Sequence, residues 1–154
     1  IIRTRISNAV FRTTFIVGYP GETDEEFQEL CQFVKSAQFD HVGVFTYSRE
    51  KDVSSGHLPN QIPSKVKKMR YAQLMSIQQP ISLSKNESLV GKQLEVLIEH
   101  KGDKPGWYVG RSYRQAPDVD GLVFVNSKLD KLNPGEFVDA RITNVMPYDL
   151  IGEA

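Results

Sequence analysis

Apolar residues in the first half of the chain form two unbroken blocks with a helically spaced stretch between them. Residues 14–19 run Thr-Phe-Ile-Val-Gly-Tyr without a charge, as in a parallel strand covered on both faces. Pro20-Gly21 ends the block. Thr23 then stands as an N-cap with Glu26 three residues on, the spacing of a capping box. Asp24, Glu25 and Glu26 place negative charge at the positive end of the helix dipole. Phe27, Leu30, Cys31 and Val34 recur at i, i+3, i+4 and i+7, one face of a helix expected to end near Ala37-Gln38. His41–Ser48, rich in Val, Phe and Tyr, is the next strand. Strand, helix and strand in this order predict a right-handed βαβ unit. Two parallel strands need partners on both faces and both edges, so the sheet or barrel is expected to be incomplete here and residues 1–60 loosely packed.

Residues 49–63 read as a loop, and Pro63 suits the first turn of a helix. Val66, Met69, Leu74 and Ile77 predict its inward stripe, with Lys65, Lys67 and Lys68 outside. Pro80 removes one helix hydrogen bond, so a kink or break is expected there, with helix resuming from Ile81 to about Glu87. From Leu89 the period changes to two. Lys92–Lys101 alternates, with Leu94, Val96 and Ile98 on one face. Trp107–Arg114, Leu122–Ser127, Glu136–Val145 and Asp149–Glu153 follow as short strands between Gly-, Pro- and Asn-rich turns. Five short strands predict a small closed barrel of the oligonucleotide-binding type. The fold class is therefore α/β followed by all-β. The boundary falls near 86–91, giving domains 1–86 and 87–154 with Gly91 as a hinge.

Composition narrows the picture. No apolar run approaches the ~18 residues of a membrane span, and Ile1–Arg5 lacks the apolar core of a signal peptide. There is no initiator Met, so the chain is expected to begin inside a larger protein, and the low cysteine content makes the cytoplasm the expected compartment. The 19 basic and 19 acidic residues cancel, which argues against a strongly basic nucleic-acid binder. Cys31 is the one cysteine, which excludes an intrachain disulfide and any all-cysteine metal or iron–sulfur site within the chain. Its place on the apolar stripe makes it a core thiol. His41, His57 and His100 show no ligand spacing.

Two constellations carry candidate chemistry. Gly18-Tyr19-Pro20-Gly21-Glu22-Thr23 lies at the C-terminal end of a presumed parallel strand, where α/β folds bind ligands. Small residues there let backbone approach a nucleoside, and the helix start at Thr23 offers N–H groups; a tight βα connection uses the same residue types. In the barrel, Trp107, Tyr108, Arg111, Tyr113 and Arg114 mix aromatics and cations, which suits base stacking, a peptide partner or ordinary packing with Trp107 or Tyr108 inward. Residues 88–154 hold eight basic and ten acidic residues, a net charge of −2, and Asp118 and Asp120 stand near Arg111 and Arg114. That balance favours a protein partner over a phosphate backbone.

Thr13–Phe27, Phe39–Ser48 and the barrel together resemble the C-terminal half of a radical S-adenosylmethionine methylthiotransferase, whose last domain is a TRAM barrel. Gly110–Gly121 and Tyr148-Asp149-Leu150 resemble the RimO type, which modifies an aspartate of a small-subunit ribosomal protein. The resemblance implies the end of a radical SAM (β/α) barrel followed by a five-stranded TRAM barrel. It implies two 4Fe-4S clusters whose ligands lie outside this chain, S-adenosylmethionine as radical and methyl source, and a chain inactive alone. It also implies that Val17, Gly18, Tyr19, Pro20, Gly21 and Glu22 line the cofactor, Gly21 and the Thr23 cap in structural roles, and that the barrel, through Arg111, Tyr113 and Arg114, holds the ribosomal protein. The alternatives are a tRNA-modifying (MiaB-type) methylthiotransferase, which the acidic barrel disfavours, and a plain RNA-binding module. The loop Arg49–Gly56 departs from the family's Glu-Gly-Thr pattern.

Overall fold

The computed structural model describes residues 1–127 and 131–154. The chain divides into two compact units, Ile1–Ile81 and Ser82–Ala154. No helix among the described residues is long and apolar enough to cross a membrane.

In the first unit, a short exposed helix α1 (Ile2–Arg5) precedes β1 (Arg12–Val17), α2 (Asp24–Ala37) and β2 (His41–Thr46). A 3-10 turn (Ser54–His57) then leads to α3 (Ser64–Glu87). The strands β1 and β2 pair in parallel, Arg12 opposite His41 through Val17 opposite Thr46. The capping box forms as expected: Thr23 Oγ1 accepts from the Glu26 N–H, and the Glu26 side chain accepts from the Thr23 N–H. Helix α2 stops where Gln38 turns left-handed at φ 53°. Its stripe of Phe27, Cys31 and Val34 packs with Val17, Val42, Val44 and Leu74, and Leu30 joins the margin. Phe15, Phe33 and Phe39 meet edge to face with centroids 5.7–6.4 Å apart.

Three expectations for this unit are revised. The strands are not covered on both faces: Ile16 and Phe45, side by side in the register, are 60% and 62% exposed. In a two-stranded sheet, α2 covers one face of the pleat and the alternate residues point away from it. Next, Met69 faces solvent, and the inward stripe of α3 runs through Arg70, Leu74 and Gln78. Two of these are polar because they serve backbone and carboxylate partners; Gln78 Nε2, for example, donates to the Phe39 carbonyl at 2.9 Å. Finally, Pro80 does not break α3, which runs unbroken from Ser64 to Glu87. Pro80 and Ser76, whose carbonyl loses its helical partner, both lie on the exposed side, where the missing bond costs less than it would in the core. Pro63 stands one residue before the helix, its carbonyl accepting from the Lys67 N–H.

The second unit is a closed barrel. Strands β3 (Gln93–Lys101), β4 (Trp107–Arg111), β5 (Val123–Asn126), β6 (Phe137–Val145) and β7 (Leu150–Glu153) run in the order β3-β4-β5-β7-β6, and β6 returns to β3. Within the barrel β5 and β7 pair in parallel and the other described pairs are antiparallel. Leu94, Val96, Ile98, Tyr108, Val123, Val125, Ala140, Ile142 and Leu150 fill the interior. Closure removes the sheet edges that an open five-stranded sheet would expose. Asn86, at the end of α3, belongs to this unit; its Nδ2 donates to the carbonyls of Met146 and Pro147 at 3.1 and 3.3 Å. Gly91 is left-handed at φ 84° and its N–H donates to the Ile142 carbonyl.

Cys31 is 1% exposed, and burial pushes its thiol above the ordinary 9.0, with Lys35 opposing and Glu22 adding to the rise. A raised value keeps the neutral thiol as pH climbs, so alkaline buffer alone does not expose a thiolate. A disulfide reagent at pH 8 should therefore modify the native chain at least about 100-fold more slowly than the denatured chain. Comparable rates in the two states would place Cys31 outside the core.

Candidate functional site

The turn between β1 and α2 is built on two left-handed glycines, Gly18 at φ +76° and Gly21 at φ +89°. The Gly18 backbone is buried, and a Cβ there would overlap the stem of Lys67. Its N–H donates to the Glu22 carboxylate. The Glu22 N–H donates to the Tyr19 carbonyl at 3.0 Å and the Gly21 N–H to the Asn60 carbonyl at 3.0 Å. Val17 is fully buried, Tyr19 is 47% exposed, Pro20 is half-buried and Gly21 is exposed. Tyr19 meets Tyr47, just past the end of β2, edge to face at 5.3 Å, and the Tyr47 N–H donates to the Val17 carbonyl.

The helix start at Thr23 leaves fewer N–H groups open than the sequence suggested. Glu26 Oε2 takes the Thr23 N–H at 2.8 Å, and Thr23 Oγ1 takes the Glu26 N–H at 3.2 Å. With Asp24 and Glu25 beside them, this helix start repels a phosphate. The turn suits a ligand whose recognised part is neutral or cationic.

Two side chains of α3 complete the turn, and the apolar stripe did not reveal either. Arg70 is 3% exposed. Its guanidinium donates to the Glu22 carboxylate, to the Glu22 carbonyl at 3.1 Å and to Asp24 Oδ1 at 2.7 Å, and it lies over the Phe27 ring at 5.4 Å. Burial pulls its pKa down, but the hydrogen bonds to Asp24 and Glu22 outweigh that and raise it above the ordinary value. Lys67 lays its stem against Gly18, and its Nζ donates to the Tyr47 carbonyl at 2.8 Å. The available signal was spacing: Arg70 stands four residues before Leu74 on the same helical face.

On the barrel, Tyr108 points inward, and Trp107, Val109 and Arg111 alternate on the outer face of β4. A cavity of about 420 Å³ opens there, lined by His100, Lys101, Lys104, Trp107, Val109 and Phe124 among others. Arg111 Nε donates to Glu99 Oε1 at 2.8 Å, so a neighbour from β3 answers it rather than Asp118 or Asp120. Antiparallel pairing of β3 with β4 brings the two together despite their separation in sequence. Strand β4 ends at Arg111 because Ser112 folds back, its N–H and Oγ both donating to Gln115 Oε1 at 3.0 and 2.8 Å. Asp120 Oδ2 accepts from the Ala116 N–H at 2.9 Å. The loop so knitted holds Tyr113 outward at 59% exposure and Arg114 half-buried. The Leu122 N–H donates to Asp149 Oδ1 at 2.8 Å, which ties Gly110–Gly121 to Tyr148–Leu150. Among the described residues no group of His, Cys, Asp and Glu side chains could hold a metal ion.

Residues 90–154 match the TRAM domain family, so the barrel is a TRAM domain. The chain as a whole is similar to the ribosomal protein uS12 methylthiotransferase RimO of Thermoanaerobacter sp. (strain X514), 56% identical over 144 residues, 94% of this chain and 32% of that protein. It is similar to the RimO of Caldanaerobacter subterraneus subsp. tengcongensis, 51% identical over 148 residues, 96% of this chain and 33% of that protein. It is also similar to the RimO of Synechococcus sp. (strain JA-2-3B'a(2-13)), 47% identical over 152 residues, 99% of this chain and 32% of that protein. The chain spans about a third of the length of these curated relatives, at their C-terminal part. It belongs to the methylthiotransferase family and corresponds to the C-terminal part of such a protein.

The turn makes unequal demands on its glycines. An alanine at Gly21 meets open space and should cost only the left-handed backbone, about 1–2 kcal/mol in chemical denaturation. An alanine at Gly18 adds the overlap with Lys67 and should cost at least about 1 kcal/mol more, part of it recovered by Lys67→Ala in the same chain. Equal costs at the two glycines would mean that Lys67 does not pack on the turn.

Proposed function

We propose that this chain supplies the last part of the S-adenosylmethionine core, and the substrate-holding TRAM barrel, of an enzyme that methylthiolates the β-carbon of an aspartate in a small-subunit ribosomal protein. The observation that carries the reading is the 56% identity over 94% of the chain to a ribosomal protein uS12 methylthiotransferase.

The turn fits S-adenosylmethionine by its chemistry. Its N–H groups at Gly18, Gly21, Glu22 and Thr23 are engaged internally, and its surroundings are acidic, with Glu22, Asp24, Glu25 and Glu26 in one short stretch. A sulfonium nucleoside carries no phosphate and tolerates negative charge. The backbone of Val17 to Pro20 and the exposed apolar pair Ile16 and Phe45 would meet the adenosine, while Glu22 shapes the turn from behind. Bound S-adenosylmethionine supplies the carbon radical and the methyl group. The iron–sulfur clusters that the family implies are not held by this chain: cluster ligation needs several thiolates, and the single cysteine lies in the core.

Tyr113, held outward by the Ser112–Gln115 turn, would meet the protein substrate together with the half-buried Arg114 and Arg111. A preformed loop lowers the ordering cost of that contact. The net charge of −2 over residues 88–154 supports a basic protein segment over tRNA.

The test is the full-length enzyme given purified ribosomal protein uS12 and, separately, tRNA. A mass gain of one methylthio group on an aspartate of the protein is expected. Modification of tRNA alone would move the chain to the tRNA-modifying type. In the same assay Tyr113→Ala and Arg114→Ala should each raise KM for the protein substrate by about 5- to 10-fold without changing affinity for S-adenosylmethionine. Unchanged KM in both would remove this loop from the substrate contact.

A further inference from the structure

We propose that Arg70 is the positioning residue of the cofactor turn: from α3 it holds the Glu22 carboxylate against the Gly18 N–H, and so fixes the backbone that S-adenosylmethionine meets. The inference rests on the reading of the turn given above and names a residue outside it.

Three observations converge. A single carboxylate oxygen, Glu22 Oε2, accepts both from the Gly18 N–H and from the Arg70 guanidinium. That makes a relay from α3 through Glu22 to the one backbone position of the turn that is buried and left-handed. Glu22 is only 14% exposed, so without Arg70 its charge would be buried and unpaired. The carboxylate would then turn to solvent and release the Gly18 N–H. The guanidinium also grips both sides of the turn's end, through the Glu22 carbonyl and Asp24 Oδ1. A planar fork does this and a point charge does not.

No other cation described near the turn takes over the task. The ammonium of Lys67 is already on the Tyr47 carbonyl at 2.8 Å. Asp24 is 82% exposed in its pair with Arg70, so that pair adds little by itself and the Glu22 pair dominates. Arg70 does not touch the ligand in this arrangement; it acts through Glu22 and Gly18.

The experiment uses the full-length enzyme with reconstituted clusters and reads S-adenosylmethionine Kd by equilibrium dialysis, turnover at saturating S-adenosylmethionine, and Tm. Arg70→Met should weaken binding about 10-fold or more while saturated turnover stays within about threefold, a split that a loss of folded enzyme does not produce. Arg70→Lys keeps the charge and loses the fork; it should recover only part of the affinity, with Kd still about 3- to 10-fold above wild type. Asp24→Asn should change Kd less than about twofold. If Arg70→Met fails to fold, Arg70→Lys decides. Wild-type Kd in a folded Arg70→Lys enzyme, or a lowered Tm with unchanged Kd in Arg70→Met, would overturn the inference and leave the reading of the turn intact. A wild-type enzyme that does not bind S-adenosylmethionine would overturn both.

Discussion

A guanidinium that is 3% exposed must be answered where it stands, and the first unit is arranged around that need. Glu22 and Asp24 come to Arg70 from either side of the helix cap, and Phe27 offers its ring face. Those residues are also the turn, the first turn of α2 and the top of the apolar core. One charge therefore couples the packing of α3 to the path of the backbone after β1. Breaking a buried pair of this kind by removing one partner typically costs about 3–5 kcal/mol, far more than an exposed pair contributes.

The barrel meets the same problem of polar satisfaction by a different route. Its backbone groups pair around a closed circuit, and the polar groups left over at the strand ends are tied locally. Ser112 with Gln115, Asp120 with Ala116, and Asp149 with Leu122 each satisfy a loop N–H with a side-chain oxygen. The loop tied in this way presents Tyr113 while its N–H groups at Ser112 and Ala116 stay paired.

Much of this was legible in the sequence. The period-two patterns of Leu94, Val96 and Ile98 marked barrel walls, because one face of each strand must be dry. The capping box and the Phe27–Cys31–Val34 stripe were readable because their partners lie within one helix. What escaped was tertiary. An apolar stripe chose Met69 for α3, whereas the helix faces inward with Arg70, a residue that burial admits only when carboxylates from another element meet it. Arg111 was matched to Asp118 and Asp120 by proximity in sequence, but strand pairing gave it Glu99. Pro80 signalled a break that a solvent-facing position made unnecessary. The turn Gly18–Thr23 was legible as a tight βα connection because glycine and proline mark one whatever it binds.

Trp107 is the only tryptophan in the chain, and it lies on the outer face of the barrel. Emission excited in the indole band therefore comes from the second unit alone. A melting curve followed by that light describes the TRAM barrel and is blind to the βαβ half, whose aromatic groups are phenylalanines and tyrosines. Tyrosine ellipticity, with Tyr19, Tyr47 and Tyr71 in the first unit, also sees that half. Two optical signals from one unmodified chain thus distinguish whether its halves lose their structure together or in turn.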